Sequence, residues 1–267
     1  MPNYLVDGQD LTSVADAIRA KGGTSDPLTF PGGFIDAIDD IPTGGKNQLI
    51  ELMNGNAVDV DDDSLTGSIT LSANNLRSIR AKNATGVGAN LFRITSGLVT
   101  FFGPNAWLYT ECFKGCNTLV TCVAKGPYSG LAGARPLQMY QANKMALTSV
   151  DFTAADYSTQ PSTTKGIGAG CFEGDYKFNL LILRSTTRWP LGNISAFDKT
   201  PFASDGSGGT IYIPKTLYDH LGDGTALDYK AATNWSTING YGTITWAHIE
   251  GSVYETQYAD GTPIPTT

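Results

Sequence analysis

The segment "IGAGCFEGDYKFNLLIL", from Ile167 to Leu183, contains glycines and a Cys-Phe pair followed by an apolar run. Similar segments occur earlier as "VGANLFRITSGLVTF" (Val87 to Phe101) and "LYTECFKGCNTLVTC" (Leu108 to Cys122). A recurring pattern of aromatic, small and apolar residues indicates an internal repeat built from one supersecondary unit.

Aligning the three copies on their aromatic residue brings similar side chains to equivalent positions. Two apolar positions follow the aromatic one, at six and nine residues along the chain. The three sets are Phe92, Phe113 and Phe172; Leu98, Leu119 and Phe178; and Phe101, Cys122 and Leu181. A further copy, "ALTSVDF", has only its second half, around Leu147 and Val150. A last, stretched copy surrounds Phe197, Ile211 and Ile213.

The first apolar position recurs from Leu98 at Leu119, Leu147, Phe178 and Ile211, at intervals of 21 to 33 residues. One unit of this length cannot bury its own apolar side, but stacked units bury a continuous interior. Strands in adjacent units lie about 4.8 Å apart, so equivalent side chains form ladders. The sequence therefore predicts a mostly β fold with short helices, whose apolar ladders face inward.

The chain changes character outside the repeats. Leu11, Val14 and Ile18 recur at helical intervals near the N-terminus, and an acidic stretch separates that part from the repeats. The predicted regions are a small α-helical module, 1–55; an acidic linker, 56–67; the repeat domain with its C-terminal cap, 68–240; and a C-terminal strand or tail, 241–267.

Bulk properties exclude several classes of partner. The net charge is −7, and no cluster of lysine and arginine offsets it, so we expect no binding to nucleic acid. No apolar run reaches the roughly 18–20 residues of a membrane span, so we expect no membrane insertion. The N-terminal "MPNYLVDGQDL" lacks the features of a signal peptide, which favours synthesis in the cytoplasm.

Catalytic patterns are missing from the sequence. His220 lies beside Asp219 in the predicted cap, and His248 lies in a strand-like run without partner motifs. The chain also lacks a Gly-x-Ser-x-Gly elbow. We therefore expect neither an enzyme nor a bound cofactor.

The acidic run invites a calcium hypothesis. In an EF-hand loop that begins at Asp59, the sixth and twelfth positions would be Ser64 and Thr70, where the motif requires Gly and Glu. We expect a solvated linker, with an irregular Ca²⁺ site as the alternative.

The cysteines fit the apolar positions of the repeat. Free cysteine behaves as a small buried hydrophobe, so we expect reduced structural thiols. The alternative is a disulfide between Cys112 and Cys116 or along the ladder. The four cysteines are Cys112, Cys116, Cys122 and Cys171.

The repeats resemble a known family. "NLRSIRAKNATGVGANLF", "ECFKGCNTLVTC" and "ALTSVDF" resemble the BspA-type leucine-rich repeat. "GTIYIPKTLYDHL" with "YKAATNWSTI" is similar to the terminal unit of such arrays, a strand followed by a helix. The resemblance covers roughly Leu71 to Ile238 and implies a leucine-rich-repeat solenoid.

The N-terminal "DLTSVADAIRAKGGTSDPLTFPGGFIDAI" resembles a segment that precedes such repeats in tail proteins of phages and prophages of Gram-positive bacteria. Together the resemblances imply a homo-oligomeric, often trimeric, virion tail protein of a fibre or baseplate, assembled in the host cytoplasm. Its partners would be other tail or baseplate proteins and a bacterial surface glycan or protein. The alternatives are a bacterial surface adhesin or structural repeat protein, which needs export, and a wall-degrading tail enzyme.

Two loops could contact a receptor, the segments Lys125 to Lys144 and Arg184 to Asn193. They carry tyrosine, tryptophan and arginine, the side chains most enriched in recognition hot spots. Such side chains also suit stacking on sugar rings. The alternative is ordinary loops with scattered aromatics. The candidate receptor-binding residues are Tyr128, Arg135, Tyr140, Arg188 and Trp189.

Overall fold

The protein divides into two compact units, Met1–Asn54 and Gly55–Thr267. The predicted helical module, 1–55, lies outside the described residues except for Asp16, which is exposed in a helix. The computed structural model describes residues 16, 58–61, 67–69, 76–93, 97–130, 136–138 and 146–265.

Ten strands of the described residues form a parallel β-sheet that dominates the second unit, which confirms the prediction of a mostly β protein with short helices. The main path runs β1-β3-β5-β6-β7-β8-β9-β10, and β2 and β4 form a side branch on β5. The strands are β1 Val58–Asp61, β2 Ser68–Ile69, β3 Leu76–Arg80, β4 Gly86–Val87, β5 Thr100–Leu108, β6 Thr121–Pro127, β7 Ser149–Phe152, β8 Leu180–Leu183, β9 Gly209–Ile213 and β10 Ile244–His248. The described helices of the second unit are α-helices Lys215–Tyr218 and Trp235–Gly240 and 3₁₀-helices Tyr157–Thr159, Ile194–Phe197 and Val253–Glu255.

One ladder of aligned side chains runs through the sheet and is buried at every level. Parallel strands in register place equivalent residues above one another, so each ladder residue packs on the next. The ladder consists of Ile79, Phe101, Cys122, Val150, Leu181 and Ile211. The sequence alignment placed Ile211 with Leu98, which is wrong, because Ile211 pairs with Leu181.

A second buried ladder lies at the turns before β5, β6, β7, β8 and β9. Phe92 donates its N–H to the carbonyl of Cys112 at 2.7 Å, and Phe172 donates to Ala196 at 2.8 Å. The rings of Phe92 and Phe113 stack with centroids 5.3 Å apart and planes at 8°. The prediction that these aromatic residues face inward is confirmed. The members of this ladder, all almost completely buried, are Phe92, Phe113, Leu137, Phe172 and Phe197.

Leu137 supplies the half-repeat that the sequence alignment left empty. The N–H of Phe113 donates to the carbonyl of Pro136 at 2.9 Å, and the N–H of Leu137 donates to Cys171 at 3.2 Å. Leu137 is fully buried between the levels of Phe113 and Phe172. The level escaped detection because a leucine replaces the phenylalanine that marks the other turns.

The prediction of an acidic linker, 56–67, is wrong for Val58–Asp61, which pair with β3 as strand β1. Arg77 forms an ion pair with Asp59, and the Nε atom of Arg80 lies 3.8 Å from Asp61. The alternation of valine and aspartate is the period-two pattern of a strand with one polar face.

The C-terminal cap and the described part of the segment 241–267, residues 241–265, form one structure, because β10 continues the sheet beyond β9. The helix expected to carry "YKAATNWS" begins only at Trp235, since Asn234 has a positive φ of 63°. The rings of Tyr229 and Trp235 lie 5.1 Å apart, and those of Trp235 and Trp246 lie 6.0 Å apart. This aromatic cluster covers the last level of the stack.

Asp175 is an exception within the apolar interior. It follows Phe172 by three residues, as Cys116 follows Phe113, so Asp175 and Cys116 occupy equivalent positions of two repeats. The Cys116 thiol donates a hydrogen bond to the carbonyl of Phe92 at 2.6 Å. The Asp175 side chain is fully buried, and neither carboxyl oxygen has a hydrogen-bond partner among the residues that the structure describes. Burial raises the pKa of Asp175 well above its ordinary value, so the folded state favours the neutral acid.

We expect Asp175→Asn to stabilise the protein more strongly as the pH rises. The unfolded chain releases the Asp175 proton at a lower pH than the folded chain. The free energy of unfolding of the parent protein therefore falls as the pH rises above the ordinary carboxyl range, and the variant lacks this loss. Scanning calorimetry should show a melting temperature several degrees above the parent at about pH 8, with the difference narrowing toward about pH 4. The exposed Asp205→Asn is the control, and a difference that does not change with pH would contradict a buried neutral acid at this position.

Candidate functional site

The structure places two of the predicted receptor residues at the surface. Tyr128 follows β6 and is half-buried, and its ring stacks on Tyr109 with centroids 4.1 Å apart. Arg188 is half-buried, and its Nη1 atom donates to the carbonyl of Asp228 at 2.8 Å. Arg135 and Tyr140 lie outside the described residues.

Trp189 belongs to the core, so the expectation that it is exposed is wrong. The side chain is fully buried, and its ring lies 5.8 Å from that of Phe152. The backbone N–H of Trp189 donates to the Tyr229 hydroxyl at 3.0 Å, and the backbone carbonyl of Trp189 accepts from Trp235 Nε1 at 2.7 Å. Gly126 makes room for the indole, because a Cβ there would lie 2.6 Å from the ring. That glycine is distant in sequence, so the loop alone could not reveal the burial.

Tyr109 and Tyr128, the tyrosine pair, stand on successive levels of the stack. The N–H of Tyr109 donates to Val87 at 3.2 Å, and the N–H of Tyr128 donates to Leu108 at 2.7 Å. The ring planes meet at 24°, and both side chains are half-buried. Neither hydroxyl has a hydrogen-bond partner within the described part of the chain. The pair therefore presents a pre-stacked aromatic surface with polar ends.

Residues 249–265, the C-terminal strap, run back across the sheet face opposite the buried ladder. The strap starts beside β9 and β10 and reaches β3. Three contacts mark its path: Tyr254 with Tyr212 of β9 (ring centroids 4.8 Å), Tyr258 with Phe102 of β5 (5.3 Å), and Asp260 with Arg80 of β3 (2.9 Å).

A buried ion pair anchors the strap to the middle of the sheet. The carboxylate of Asp151 is fully buried and accepts two bonds from Arg184, each of 2.8 Å. Arg184 also donates to the carbonyls of Tyr254 and Gln257, at 2.8 and 3.0 Å, and Ala259 donates its N–H to Asp151 at 3.1 Å. Burial raises the pKa of Asp151, although Arg184 acts in the opposite direction. The pair thus holds three points of the strap.

A groove of about 410 Å³ lies between the strap and strands β3 and β5. Its walls combine two aromatic rings, three prolines, two amides and side chains of both charges. We call it the strap groove. It is lined by Asp61, Arg80, Lys82, Asn83, Phe102, Pro104, Asn105, Tyr258, Thr262, Pro263 and Pro265.

The polar groups of the strap groove are held in place. Arg80 donates to Asp260 at 2.9 Å and to Thr262 at 2.8 Å, and its guanidinium lies 4.2 Å from the ring centroid of Phe102. Asn105 is exposed and donates one amide hydrogen to the carbonyl of Lys82 at 2.8 Å. Its carbonyl oxygen and second amide hydrogen can still serve a ligand. The sequence could not predict this groove, because its two walls are about 180 residues apart in the chain.

The histidines lie apart from the strap groove. His220 Nδ1 and Asp223 form an exposed pair at 2.6 Å, and the ring of His248 packs against Tyr218. Among the described residues, no group of three His, Cys, Asp or Glu side chains is placed to hold a metal ion. Asp62 and Asp63 of the acidic run lie outside those residues.

The four cysteines are free and buried, which confirms the expectation of reduced structural thiols. Burial raises the pKa of the Cys112 and Cys171 thiols well above the ordinary value. A thiol held in this form is a poor nucleophile, so the cysteines act as core residues.

No helix in the described ranges is long and apolar enough to span a bilayer. Comparison of the chain with protein-family models, curated proteins and solved structures finds no match. The functional interpretation therefore depends on the residues themselves and on the resemblance of the repeats.

We expect Arg184→Leu to destabilise the protein by about 3–5 kcal/mol, because it leaves the buried Asp151 without a counter-charge. Adding Asp151→Asn to Arg184→Leu should recover part of this lost stability, because the buried carboxyl group is then removed as well. Urea unfolding measures the stability, and limited proteolysis measures release of the strap. Arg77→Leu, which removes an exposed ion pair, is the control and should cost much less. Equal losses for Arg184→Leu and Arg77→Leu would contradict the anchoring role.

Proposed function

We propose that the protein is a non-enzymatic component of a phage tail, from a fibre or the baseplate, that binds the host surface. In this proposal the second unit is a BspA-type leucine-rich-repeat solenoid. The predicted N-terminal module, 1–55, attaches it to other tail or baseplate proteins and supports a homo-oligomer. The support for this assignment is the resemblance of both sequence segments, together with the stacking of the repeats.

The two buried ladders support the solenoid interpretation. Equivalent residues of successive repeats occupy equivalent places, as a stack of similar units requires. Leu137 completes the turn ladder between Phe113 and Phe172. Connections between strands vary in length while the ladders stay in register, and inserted loops of solenoids often form the binding side.

The observation that carries the binding function is the tyrosine pair. Tyrosine supplies a large, rigid and amphipathic contact surface at a low entropic cost. Tyr109 and Tyr128 are already stacked and are fixed to the sheet by backbone hydrogen bonds. Tyr128 lies at the start of the long connection from β6 to β7, where the sequence predicted a receptor loop, and Tyr109 lies at the start of the connection from β5 to β6. A flat aromatic surface with polar ends suits a sugar ring of a surface glycan.

The charge of the chain favours such a target over nucleic acid. A net charge of −7 disfavours contact with phosphate backbones. Neutral or basic surface polymers carry no such penalty. The proposed location is the virion tail, assembled in the cytoplasm of the bacterial host.

Co-sedimentation with isolated cell walls tests this function. The full chain should pellet with walls of susceptible Gram-positive bacteria without releasing soluble wall fragments. Tyr109→Ala/Tyr128→Ala should weaken the association at least about tenfold, because two aromatic contacts are lost. Tyr176→Ala removes an exposed tyrosine that lies outside the pair. This variant is the matched control and should bind as the parent.

Two outcomes would overturn the proposal. Release of soluble fragments would indicate a wall-degrading enzyme. Equal binding by the double variant and the parent would exclude the tyrosine pair as the receptor contact.

A further inference from the structure

We propose that the strap groove is a second saccharide site, which takes one uncharged sugar ring. The site uses Tyr258 as its main apolar contact, beside the almost completely buried Phe102, and Asn105 as its main polar contact. It deepens the proposed function by naming a ligand class, and it rests on that function only for the biological source of the sugar. Its residues differ from those of the tyrosine pair.

The size and stiffness of the groove suit a small ligand. A volume of about 410 Å³ lies within the range of small-molecule sites. Pro104 lies on one wall, and Pro263 and Pro265 lie on the strap. Proline fixes its own backbone φ, so these walls lose little conformational freedom when a ligand binds. The groove is therefore preorganised for a compact ligand.

The charges of the groove favour an uncharged ligand. Arg80 is neutralised by Asp260 at 2.9 Å, with Asp61 at 3.8 Å from its Nε atom. The lining holds Arg80, Lys82 and Asp61, and Asp260, bonded to Arg80 behind the lining, brings the balance to two cationic and two anionic side chains. An anionic ligand would compete with Asp260 for Arg80, and a cationic ligand would compete with Arg80 for the carboxylates. Neither competition affects a neutral molecule.

The remaining groups match sugar hydroxyls. A hydroxyl both donates and accepts, and the Asn105 amide offers one donor and one acceptor beyond its bond to Lys82. Phe102 is almost completely buried beneath the Arg80 guanidinium and meets Tyr258 edge to face at 74°. The apolar corner beside these polar groups is therefore mainly the half-buried ring of Tyr258. An apolar corner next to an amide complements a ring that has one face of C–H groups and a rim of hydroxyls.

Ligand-observed NMR with free sugars tests the site directly. The probes are the methyl glycosides of glucose, galactose and N-acetylglucosamine, with glucuronate as the charged comparison. At least one uncharged glycoside should receive saturation from the full chain and bind with a Kd of about 1 mM, typical of one weak contact surface. Glucuronate should bind at least about tenfold more weakly, a difference of about 1.4 kcal/mol.

Matched variants assign the binding to the groove. Tyr258→Leu and Asn105→Ala should each weaken the sugar at least about tenfold. Asn179→Ala removes an exposed amide outside the groove, so this control should bind as the parent. Circular dichroism melting shows whether each variant is folded. The titrations are carried out in the Tyr109→Ala/Tyr128→Ala background, which removes the tyrosine pair as a second source of sugar binding and leaves the groove residues in place.

The results separate this site from the tail function. Sugar binding in the background without the tyrosine pair, but no co-sedimentation of the parent, would support the groove and contradict the proposed function. Co-sedimentation of the parent without sugar binding in that background would do the reverse. The groove proposal is overturned if no uncharged glycoside binds at roughly 20 mM, about twentyfold above the expected Kd. Equal binding by Tyr258→Leu and the parent, or preference for glucuronate, would also overturn it.

Discussion

The in-register parallel hydrogen bonding between successive segments is the constraint on which the rest of the structure depends. Because each segment bonds to the next at equivalent positions, side chains of one position must pack on their own counterparts. Phe92 on Phe113 and Leu181 under Ile211 are results of this rule. The interior that this packing creates excludes water, so an ionisable residue there is costly. Asp175 carries that cost, because its buried carboxyl group has no hydrogen-bond partner among the described residues.

The C-terminal strap adds long-range order to a stack whose levels otherwise contact only their neighbours. The strap crosses the sheet from β9 to β3. The buried pair of Asp151 and Arg184 holds it over the middle strands, and the bond between Arg80 and Asp260 holds it at β3. The same crossing creates the strap groove. Stability and ligand chemistry are therefore linked in this protein, since one segment both fastens the sheet and forms one wall of the groove.

Residue patterns within one repeat were predictable from the sequence, and contacts between distant segments were not. The inward Phe92, Phe113 and Phe172 follow from the repeat, because their neighbours in sequence mark the turn. Leu137 lacks that aromatic mark, so its level was missed. Trp189 looked like a loop residue, because nothing near it in sequence shows the space that Gly126 provides.

The candidate site shows the same division. Tyr128 was identified from its residue type and loop, but its partner Tyr109 comes from the preceding level, and the stacking of the two needs the register of the sheet. The strap groove carries no local motif. Its walls come together only because the chain returns from β10 to β3, which no composition or spacing records.

Residue-resolved amide hydrogen exchange of the full chain tests the stacked repeat most directly. In a continuous stack, the N–H of Leu137 is a ladder donor to Cys171 and should exchange as slowly as the N–H groups of Phe113 and Phe172. Fast exchange at Leu137, typical of an open loop, beside slow exchange at Phe113 and Phe172 would show that the stack is interrupted at this level and would contradict a continuous ladder.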